Sequence, residues 1–325
     1  MDSLQTTDIR IGVIMDPIAD IKTYKDSTFA MLLQAAERDW PVYYMEQKDL
    51  FIRDGVTWAE WQKIQVVDRD HDWFQVLDSG ESELHEVVDA VLMRKDPPFD
   101  MEYVYTTYML EMAEKYGVLM VNKPQSLRDA NEKLFTAFFP QCCVPSLISR
   151  SISDIRQFID FHKDVIVKPL DLMGGASIFR LQPDDQNLSV ILENMTQFET
   201  QTIMAQTYIP EITEGDKRIL LVDGVPAPYA LARIPKSGET RGNIAAGGRG
   251  EGVPLTARDK WICEQVGPTL KEKGLIFVGL DVIGDFLTEI NVTSPTCIRE
   301  LDAEFDLNIA GELMDAIARR LSANE

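Results

Sequence analysis

The stretch from residue 274 to residue 300 contains three side chains able to hold a divalent cation: Asp281, Glu289 and Asn291. Their carboxylate and amide oxygens are hard ligands, which Mg²⁺ accepts beside water and substrate phosphate. Two apolar, β-rich runs flank Gly284-Asp285 within the same stretch, and this pattern predicts a β-hairpin. The chemistry that these residues favour is metal-assisted binding of a phosphate-bearing substrate.

Whether the three side chains share one face depends on the loop of the hairpin. Strand side chains alternate between faces, so Glu289 and Asn291 point the same way. Asp281 joins them only if the loop holds an odd number of residues, because a two-residue turn sends Asp281 to the opposite face. These residues alone leave open the alternative of a hairpin with one polar, solvated face.

Lysines and glycines elsewhere in the chain complement these oxygens. Lys133 is predicted on a helix capped by Ser126, and Lys168 ends a predicted strand before a turn that contains Gly174 and Gly175. An ammonium group beside backbone N–H groups can surround phosphate oxygens. An ordinary hairpin turn and a solvated lysine remain the alternatives.

A glycine-rich segment at 235–252 holds six of the 19 glycines in the chain. Structureless loops longer than about 12 to 15 residues are usually lids, binding loops or linkers. Arg241 and Arg249 within the segment favour a lid that closes over an anion, with a flexible linker as the alternative. Arg218 and Arg233 flank a predicted hairpin just before it.

The elements that must position these groups begin with a βαβ pattern. Residues 9–15 and 42–45 predict strands on either side of a helix, so a parallel sheet opens the fold. A further strand at 88–93 leads into Arg94, and ligands favour the carboxyl ends of strands in such sheets. Residues 50–80 show no regular pattern.

Length and composition narrow the class of protein. A chain of 325 residues is expected to form two or three domains. A net charge of −21, with no basic cluster, argues against nucleic acid or an anionic membrane as a partner. The four cysteines have no metal or redox spacing, and no apolar run is long enough to span a membrane. We therefore expect a soluble, cytoplasmic protein with reduced thiols.

Together, the lysines, glycines and oxygens satisfy what a nucleoside triphosphate with Mg²⁺ requires in an acidic protein. Neither a Walker A sequence nor G-x-G-x-x-G after a strand occurs, so two common nucleotide folds are disfavoured. The residues predict an ATP-dependent phosphoryl-transfer enzyme or an ATP-binding protein, without naming its substrate.

Seven long blocks resemble the bacterial glutathione synthetases of the ATP-grasp superfamily, and the likeness spans essentially the whole chain. The blocks are MDPIADI (15–21), LMRKDPPFD (92–100), VNKPQSLRDANEKLF (121–135), GGASIFR (174–180), GDKRILLVDG (215–224), ETRGNIAAGGRGE (239–251) and GLDVIGDFLTEINVTSPTCIRE (279–300). One departure is Leu172, since the family pattern KPLDGMGG appears here as KPLDLMGG. Leu172 is expected to stiffen the glycine turn.

The resemblance implies an α/β (α+β) protein with the ATP-grasp fold. Its implied domains are an N-terminal parallel-sheet pre-ATP-grasp domain (1–123), a small lid domain (124–204) and a C-terminal ATP-grasp catalytic domain (205–325) with a flexible loop at 235–252. The implied cofactors are ATP and Mg²⁺, with Mn²⁺ as an alternative ion. The implied reaction joins γ-glutamylcysteine to glycine through an acyl phosphate, in a cytoplasmic homotetramer.

The resemblance also implies roles for individual residues. ATP would contact Lys133, Lys168, Gly174, Gly175, Gln206, Thr207, Tyr208, Ile209 and Asp216. Arg218, Arg233 and Arg241 would be catalytic, and Asp281, Glu289 and Asn291 would hold the metal. The substrate carboxylate would be gripped by Ser294, Thr296 and Arg299.

Two competing functions remain open to a test. One is another ATP-grasp carboxylate-amine ligase, such as a dipeptide or amino-acid ligase. The other is a catalytically silent ATP-binding or scaffold protein that keeps the fold. Intact Lys168, Glu289 and Asn291 argue against the silent protein.

Overall fold

The computed structural model describes residues 9–173, 176–236 and 249–324. Three β-sheets with flanking helices make up this part of the chain. Within the described ranges, every helix is too short or too polar to cross a membrane.

The first sheet belongs to the N-terminal third of the chain. Its elements are β1 (Ile11–Ile14), α1 (Ser27–Glu37), β2 (Val42–Met45), β3 (Leu50–Arg53), β4 (Val56–Val66), β5 (Phe74–Glu83), α2 (Leu84–Val87), β6 (Ala90–Met93), α3 (Met101–Glu114), β7 (Leu119–Val121) and α4 (Pro124–Asp129). Strands β2, β1, β6 and β7 are neighbours in that order and run parallel, as the βαβ pattern predicts.

Strands β3, β4 and β5 form an antiparallel extension beside β2. Residues 50–80, which show no regular pattern in the sequence, therefore lie mainly in strands. Every residue of β5 is partly or fully exposed. Because neither of its faces is fully buried, the strand has no alternation of apolar and polar residues, which is the usual sequence signal of a strand.

The second sheet is antiparallel and has its own core. Its elements are β8 (Ser146–Ser149), α5 (Ile152–His162), β9 (Val165–Pro169), β10 (Phe179–Leu181), α6 (Leu188–Met195) and β11 (Ile203–Thr207), and the strand order is β10-β9-β11-β8. Ile155 and Leu192 of the two helices pack on Val167 and Ala205 of the sheet. Since β11 ends at Thr207, this sheet continues past the predicted boundary at residue 204.

The third sheet is antiparallel, with strand order β14-β13-β12-β15-β16. Its part of the chain contains β12 (Asp216–Val222), β13 (Val225–Ile234), β14 (Arg249–Pro254), α7 (Ala257–Glu272), β15 (Phe277–Ile283), β16 (Phe286–Asn291), α8 (Ile298–Phe305) and α9 (Ile309–Asn324). The expectation of a structureless loop is wrong for residues 249–252, which pair with β13. Arg241, Gly174 and Gly175 lie outside the described residues.

A shared hydrophobic core joins the first sheet to the third. Leu313 and Ile317 of α9 are fully buried in the same cluster as Phe29 of α1 and Leu220 of β12. Each buried side chain of this size contributes about 1.5–3 kcal/mol. The first and third sheets therefore form a common support, while the second sheet packs around a separate cluster.

Asn122, directly after β7, connects the first sheet to the predicted hairpin, β15 and β16. Its Nδ2 donates to the carbonyl oxygens of Phe277 and Val292, both at 2.7 Å, and its Oδ1 accepts from the Phe277 N–H at 2.9 Å. The side chain is buried. Both strands of the hairpin are thereby fixed to the end of β7.

We expect Asn122→Ala to lower the free energy of unfolding by about 2–4 kcal/mol, because buried backbone groups of Phe277 and Val292 lose their partner. The measurement is the shift of the urea unfolding midpoint against wild type. Asn187→Ala, at an exposed position, is the control and should stay within about 0.5 kcal/mol. Equal midpoints for both variants would contradict the role of Asn122.

Candidate functional site

A cavity of about 660 Å³ lies where the three sheets meet. We call it the central cavity. Most of the residues predicted to bind ATP, metal or substrate line this cavity. They are Lys133, Lys168, Gln206, Thr207, Tyr208, Ile209, Asp216, Arg218, Arg233, Asp281, Glu289, Asn291, Ser294 and Thr296. Residues distant in sequence are thus brought to a single site.

The hairpin places its three candidate metal ligands on one face by means of a β-bulge. Ile283 pairs with Phe286, so the turn has two residues, and this turn alone would send Asp281 to the wrong face. The register shifts between Asp281 and the next residue, so that Asp281 lies opposite Glu289. The extra residue is Thr288, and it restores the odd count that the sequence analysis required.

The bulge is held by two side chains. The Thr288 hydroxyl donates to the carbonyl oxygen of Asp281 at 3.1 Å. Lys168 Nζ, from β9 of the second sheet, donates to the carbonyl oxygen of Thr288 at 3.2 Å. Burial lowers the pKa of Lys168, although the charge of Glu289 opposes this effect. The predicted phosphate lysine therefore lies directly against the candidate metal site.

Asp281 is enclosed by two arginines from neighbouring strands. Its Oδ1 accepts from Arg218 Nε at 2.5 Å and its Oδ2 from Arg218 Nη2 at 3.0 Å, while Arg233 Nη2 lies 2.7 Å from Oδ2. Burial alone would raise the pKa of Asp281, but the two guanidinium groups outweigh it and hold the pKa well below its usual range. Asp281 is therefore ionised at neutral pH.

Asp216 extends this cluster on the other side of Arg233. Its Oδ2 lies 2.5 Å from Arg233 Nη2, whereas Oδ1 is buried and has no hydrogen-bond partner among the described residues. Burial raises the pKa of Asp216 to about 6, against the opposing charge of Arg233. An unpaired carboxylate oxygen in the cavity wall can accept a hydrogen bond from a ligand.

The donor set on the hairpin fits a magnesium ion. Asn291 Nδ2 donates to the Gly279 carbonyl at 3.2 Å, which fixes the amide and leaves its oxygen as the ligand atom. Glu289 Oε1 lies 3.7 Å from Lys133 Nζ. Within the described ranges, no three His, Cys, Asp or Glu side chains are grouped so that they could hold a metal ion by themselves. Two carboxylates and an amide nevertheless suit Mg²⁺, which keeps waters and takes phosphate oxygens as further ligands.

Lys133 reaches the cavity from a turn and not from a helix. Helix α4 begins with Pro124 in its first turn and ends at Asp129, and the Ser126 hydroxyl donates to the Lys273 carbonyl instead of capping the helix. The predicted Ser126-capped helix is therefore wrong, because proline favours an earlier start. Lys133 Nζ contacts the Leu172 carbonyl.

The end of β11 and the residues that follow it also line the central cavity. Gln206 is buried, and its Nε2 has no hydrogen-bond partner among the described residues. The Arg180 guanidinium lies 3.6 Å from the centroid of the Tyr208 ring. Ile166 and Ile212 line the same cavity. Apolar walls with an unpaired amide donor are suited to a flat heterocycle with acceptor atoms.

The predicted substrate residues separate into two groups. Ser294 and Thr296 line the cavity, and the Ser294 hydroxyl donates to Asp96. Arg299 is not among the lining residues, because both oxygens of Asp68 accept from its Nη2 at 3.0 Å. The contact with Asp68 comes from the loop between β4 and β5, which the sequence analysis left unassigned.

Glu132 is a site residue that the sequence analysis missed. Its Oε1 accepts from the backbone N–H of Val292 at 2.9 Å and from the N–H and hydroxyl of Thr293 at 3.1 and 2.9 Å. Glu132 lines the central cavity and fixes the chain just after β16. In the sequence, Glu132 is distinguished only by its position next to Lys133, and that position does not indicate what its side chain binds.

We expect Asp281→Asn to lower the free energy of unfolding by about 3–5 kcal/mol, because two buried guanidinium groups lose the charge between them. Urea denaturation at neutral pH measures the change. Asp285→Asn, in the exposed turn of the same hairpin, is the matched control and should change stability by less than about 0.5 kcal/mol. An Asp281→Asn protein as stable as wild type would show that the ion cluster is unimportant for folding.

Comparisons with known families cover nearly the whole chain. Residues 9–128 match the family described as prokaryotic glutathione synthetase, N-terminal domain, and residues 132–306 match its ATP-grasp domain. A glutathione synthetase of Pseudomonas putida is 61% identical over 315 residues, 97% of this chain and 99% of the relative. Those of Pseudomonas aeruginosa and Vibrio cholerae are 58% identical over the same shares.

Solved structures share the fold at low sequence identity. D-cycloserine synthetase DcsG aligns with a TM-score of 0.67 at 13% identity, covering 96% of this chain and 99% of that one. The ATP-grasp ligase PsnB, complexed with minimal precursor, gives 0.64 at 17% identity and the same coverage. D-alanyl-alanine synthetase A from Vibrio cholerae gives 0.57 at 13%, covering 97% and 99%. The expected ATP-grasp fold is confirmed.

Proposed function

The chain belongs to the prokaryotic glutathione synthetase family, and from this premise we propose how its central cavity works. The protein is an ATP-dependent ligase that joins γ-glutamylcysteine and glycine into glutathione, with release of ADP and phosphate. The observation that carries the proposal is the bulged hairpin, which turns Asp281, Glu289 and Asn291 to one face beside Lys168. These are the groups that a nucleotide with a divalent ion needs.

ATP would lie between the second sheet and the hairpin. Lys133 and Lys168 would contact the phosphates, with Gly174 and Gly175 covering them. The linker from Gln206 through Thr207 and Tyr208 to Ile209 would lie beside adenine, with Asp216 nearby. The unpaired Gln206 Nε2 and the apolar side chains of Ile166 and Ile212 in the cavity wall support this placement.

Mg²⁺, or Mn²⁺ in its place, would be held by Asp281, Glu289 and Asn291. When bound, the ion supplies charge neutralisation between phosphate groups. Asp281 already carries two arginine partners, and its Oδ2 is shared by both, but Oδ1 accepts from Arg218 alone and keeps a second lone-pair site for the ion. Ionised Asp281 and the fixed amide of Asn291 support this ligand set.

The reaction would proceed in two steps. A cysteinyl carboxylate oxygen attacks the γ-phosphorus of ATP, and the bond to ADP breaks, which leaves an acyl phosphate. The glycine amine then attacks the acyl carbon, and phosphate leaves as the peptide bond forms. A carboxylate is a poor acyl donor until its oxygen becomes phosphate, and the intermediate survives only where water is excluded.

Three arginines would stabilise the charges that develop in these steps. Arg218 and Arg233 lie in the cavity wall, where their guanidinium groups are fixed by Asp281 and Asp216 before substrate arrives. Preorganised donors of this kind stabilise a transferred phosphoryl group or a tetrahedral oxyanion. Arg241 would close over the intermediate as part of the segment between β13 and β14. Ser294, Thr296 and Arg299 are our candidates for the substrate carboxylate, although Arg299 would first have to leave Asp68.

Isotope transfer tests the whole proposal. With γ-glutamylcysteine labelled by ¹⁸O in its cysteinyl carboxylate, we expect one labelled oxygen in the phosphate released, because the carboxylate oxygen leaves with phosphorus. Mass spectrometry of the phosphate measures this. Glu289→Ala should abolish transfer by loss of the metal ligand, while Glu264→Ala, exposed on α7, should keep it.

Two results would contradict this prediction. Unlabelled phosphate formed at the normal rate would exclude the acyl phosphate. Equal turnover with D-alanine in place of glycine would favour a different carboxylate-amine ligase of the same fold.

We also propose that the division into domains at 1–123, 124–204 and 205–325 holds, and that the protein is cytoplasmic. Each of the three sheets falls mainly in one of these ranges, which supports the division. The four cysteines are free thiols, and three of them are buried, which suits a reducing compartment. The acidic charge of −21 supports the absence of nucleic-acid and membrane partners.

A homotetramer is the assembly that we propose for this chain. Met101, Tyr105 and Tyr108 lie on one side of α3 at helical spacing and are 56%, 47% and 50% exposed. Exposed apolar patches of this kind commonly mark protein–protein contacts.

We expect light scattering after size exclusion to give the mass of four chains. Replacing both Tyr105 and Tyr108 by Glu should lower that mass, because charge is placed in an apolar contact. Phe161→Glu, 79% exposed on α5, is the control and should leave the mass unchanged. A wild-type mass of one chain at micromolar concentration would contradict the proposal.

A further inference from the structure

Strand β14 lies at one edge of the third sheet, where it pairs with β13. Its sequence, RGEGVP, holds two glycines and ends in proline, and both residue types are depleted in strands. Every residue of β14 is partly or fully exposed. Burial of its own side chains therefore contributes little to holding β14 in place, so contacts from outside the sheet are important for it.

The C-terminal end of α8 supplies such contacts. The Gly252 N–H donates to both carboxylate oxygens of Glu304, at 3.0 and 3.2 Å. Phe305, the last residue of α8, stacks on Tyr229 of β13, with ring centroids 3.7 Å apart and an angle of 7° between the planes. Helix α8 thus contacts both strands. We call Tyr229, Gly252, Glu304 and Phe305 the edge clamp.

Gly252 is small enough to let α8 approach the strand this closely. A Cβ atom built on Gly252 would lie 2.5 Å from Cζ of Phe305 and 2.6 Å from Cδ of Glu304. Carbon atoms that are not bonded attract each other at about 3.5–4.0 Å and repel at such short range. A side chain at this position would therefore separate β14 from α8.

Helix α8 is a firm support for the edge clamp. Ile298 and Leu301 are fully buried in the core that the first and third sheets share. Phe305 and Tyr229 pack against the same core. The position of an exposed edge strand is thereby tied to the common support of the molecule.

The strand that the clamp holds lies directly beside Arg233. In the register of β13 and β14, Arg233 is opposite Gly250, just before Gly252 in the same strand. On its other side, Arg233 is opposite Asp216 of β12 and forms an ion pair with it. Because β13 ends at Ile234, Arg233 lies near a strand end, where local opening begins most easily. Its backbone is held there between β12 and β14.

We propose that the edge clamp positions Arg233 for catalysis, because α8 holds β14 on β13 and β14 holds the end of β13. This inference rests on the proposed function, in which Arg233 stabilises developing charge. Neither Glu304 nor Phe305 lines the central cavity, so both would act through the strands. Donors stabilise a transition state only when they are fixed in advance, and a misplacement of about 1 Å can cost about 100-fold in rate.

Three single variants disturb the edge clamp in different ways. Glu304→Ala removes the acceptor, Phe305→Ala removes the stacked ring, and Gly252→Ala adds a methyl group that overlaps the ring. Glutathione formation gives kcat and the KM of each substrate. Hydrogen exchange followed by mass spectrometry compares peptides of β13 and β14 with peptides of β15 and β16.

We expect Phe305→Ala and Gly252→Ala to lower kcat about fivefold or more, with every KM within about twofold of wild type, because a displaced Arg233 weakens transition-state stabilisation. Exchange should become faster in β13 and β14 and stay unchanged in β15 and β16. Glu304→Ala should act in the same direction. Glu304→Gln keeps an acceptor oxygen and should restore kcat to near the wild-type value.

The double variant of Gly252→Ala with Phe305→Ala tests the contact itself. Without the ring, the added methyl group meets no obstacle, so the double variant should be no slower than Phe305→Ala alone. Glu312→Ala on α9 and Phe161→Ala on α5 are the matched controls at exposed positions and should behave as wild type. If Phe305→Ala fails to fold, Glu304→Ala, at an exposed position, decides.

Three results would overturn the inference and leave the proposed function intact. The first is unchanged exchange in β14 of Gly252→Ala, and the second is faster exchange there with unchanged kcat. The third is equally faster exchange in all three sheets, which would show a loss of overall stability. Wild type that forms no glutathione from ATP, γ-glutamylcysteine and glycine would overturn the proposed function and the inference with it.

Discussion

The site depends on a buried cluster of ions in which Asp281 lies between Arg218 and Arg233. In a medium of low dielectric constant, each charge is stable only while its partners stay in place. Arg218 is directly opposite Asp281 across the strands, and Arg233 is opposite Asp216. The register of three neighbouring strands is therefore tied to the same charges. A slip of one residue would turn these side chains to the opposite face, so the cluster specifies the sheet as well as the site.

The bulge at Thr288 explains why the sequence alone could identify the ligands but not their common face. Apolar runs and a Gly-Asp pair predicted the hairpin correctly, because both are local signals. The bulge depends on two contacts with Thr288, one from its own hydroxyl to Asp281 and one from Lys168. Lys168 is 120 residues away in the chain, and no pattern within the hairpin contains that information.

The same distinction between local and distant interactions accounts for the other outcomes. The parallel strands of the first sheet are buried and were predicted, whereas β5 is exposed and was not. Arg299 was expected at the substrate because it ends a distinctive block, but its partner Asp68 comes from the loop after β4. The bond from Gly252 to Glu304 was not predicted, because the two residues are 52 positions apart in the chain.

The bond from Lys168 to the Thr288 carbonyl has a consequence for how tightly phosphate can be held. An ammonium group has three N–H donors and this bond occupies one of them, so under the proposed function the other two would meet the phosphate oxygens. Because Lys168 belongs to the sheet with a separate core, the same bond also ties that sheet to the bulge of the hairpin. A ligand at this lysine would therefore contact a point at which two sheets are joined, so that its binding and release would depend on how firmly they are held together.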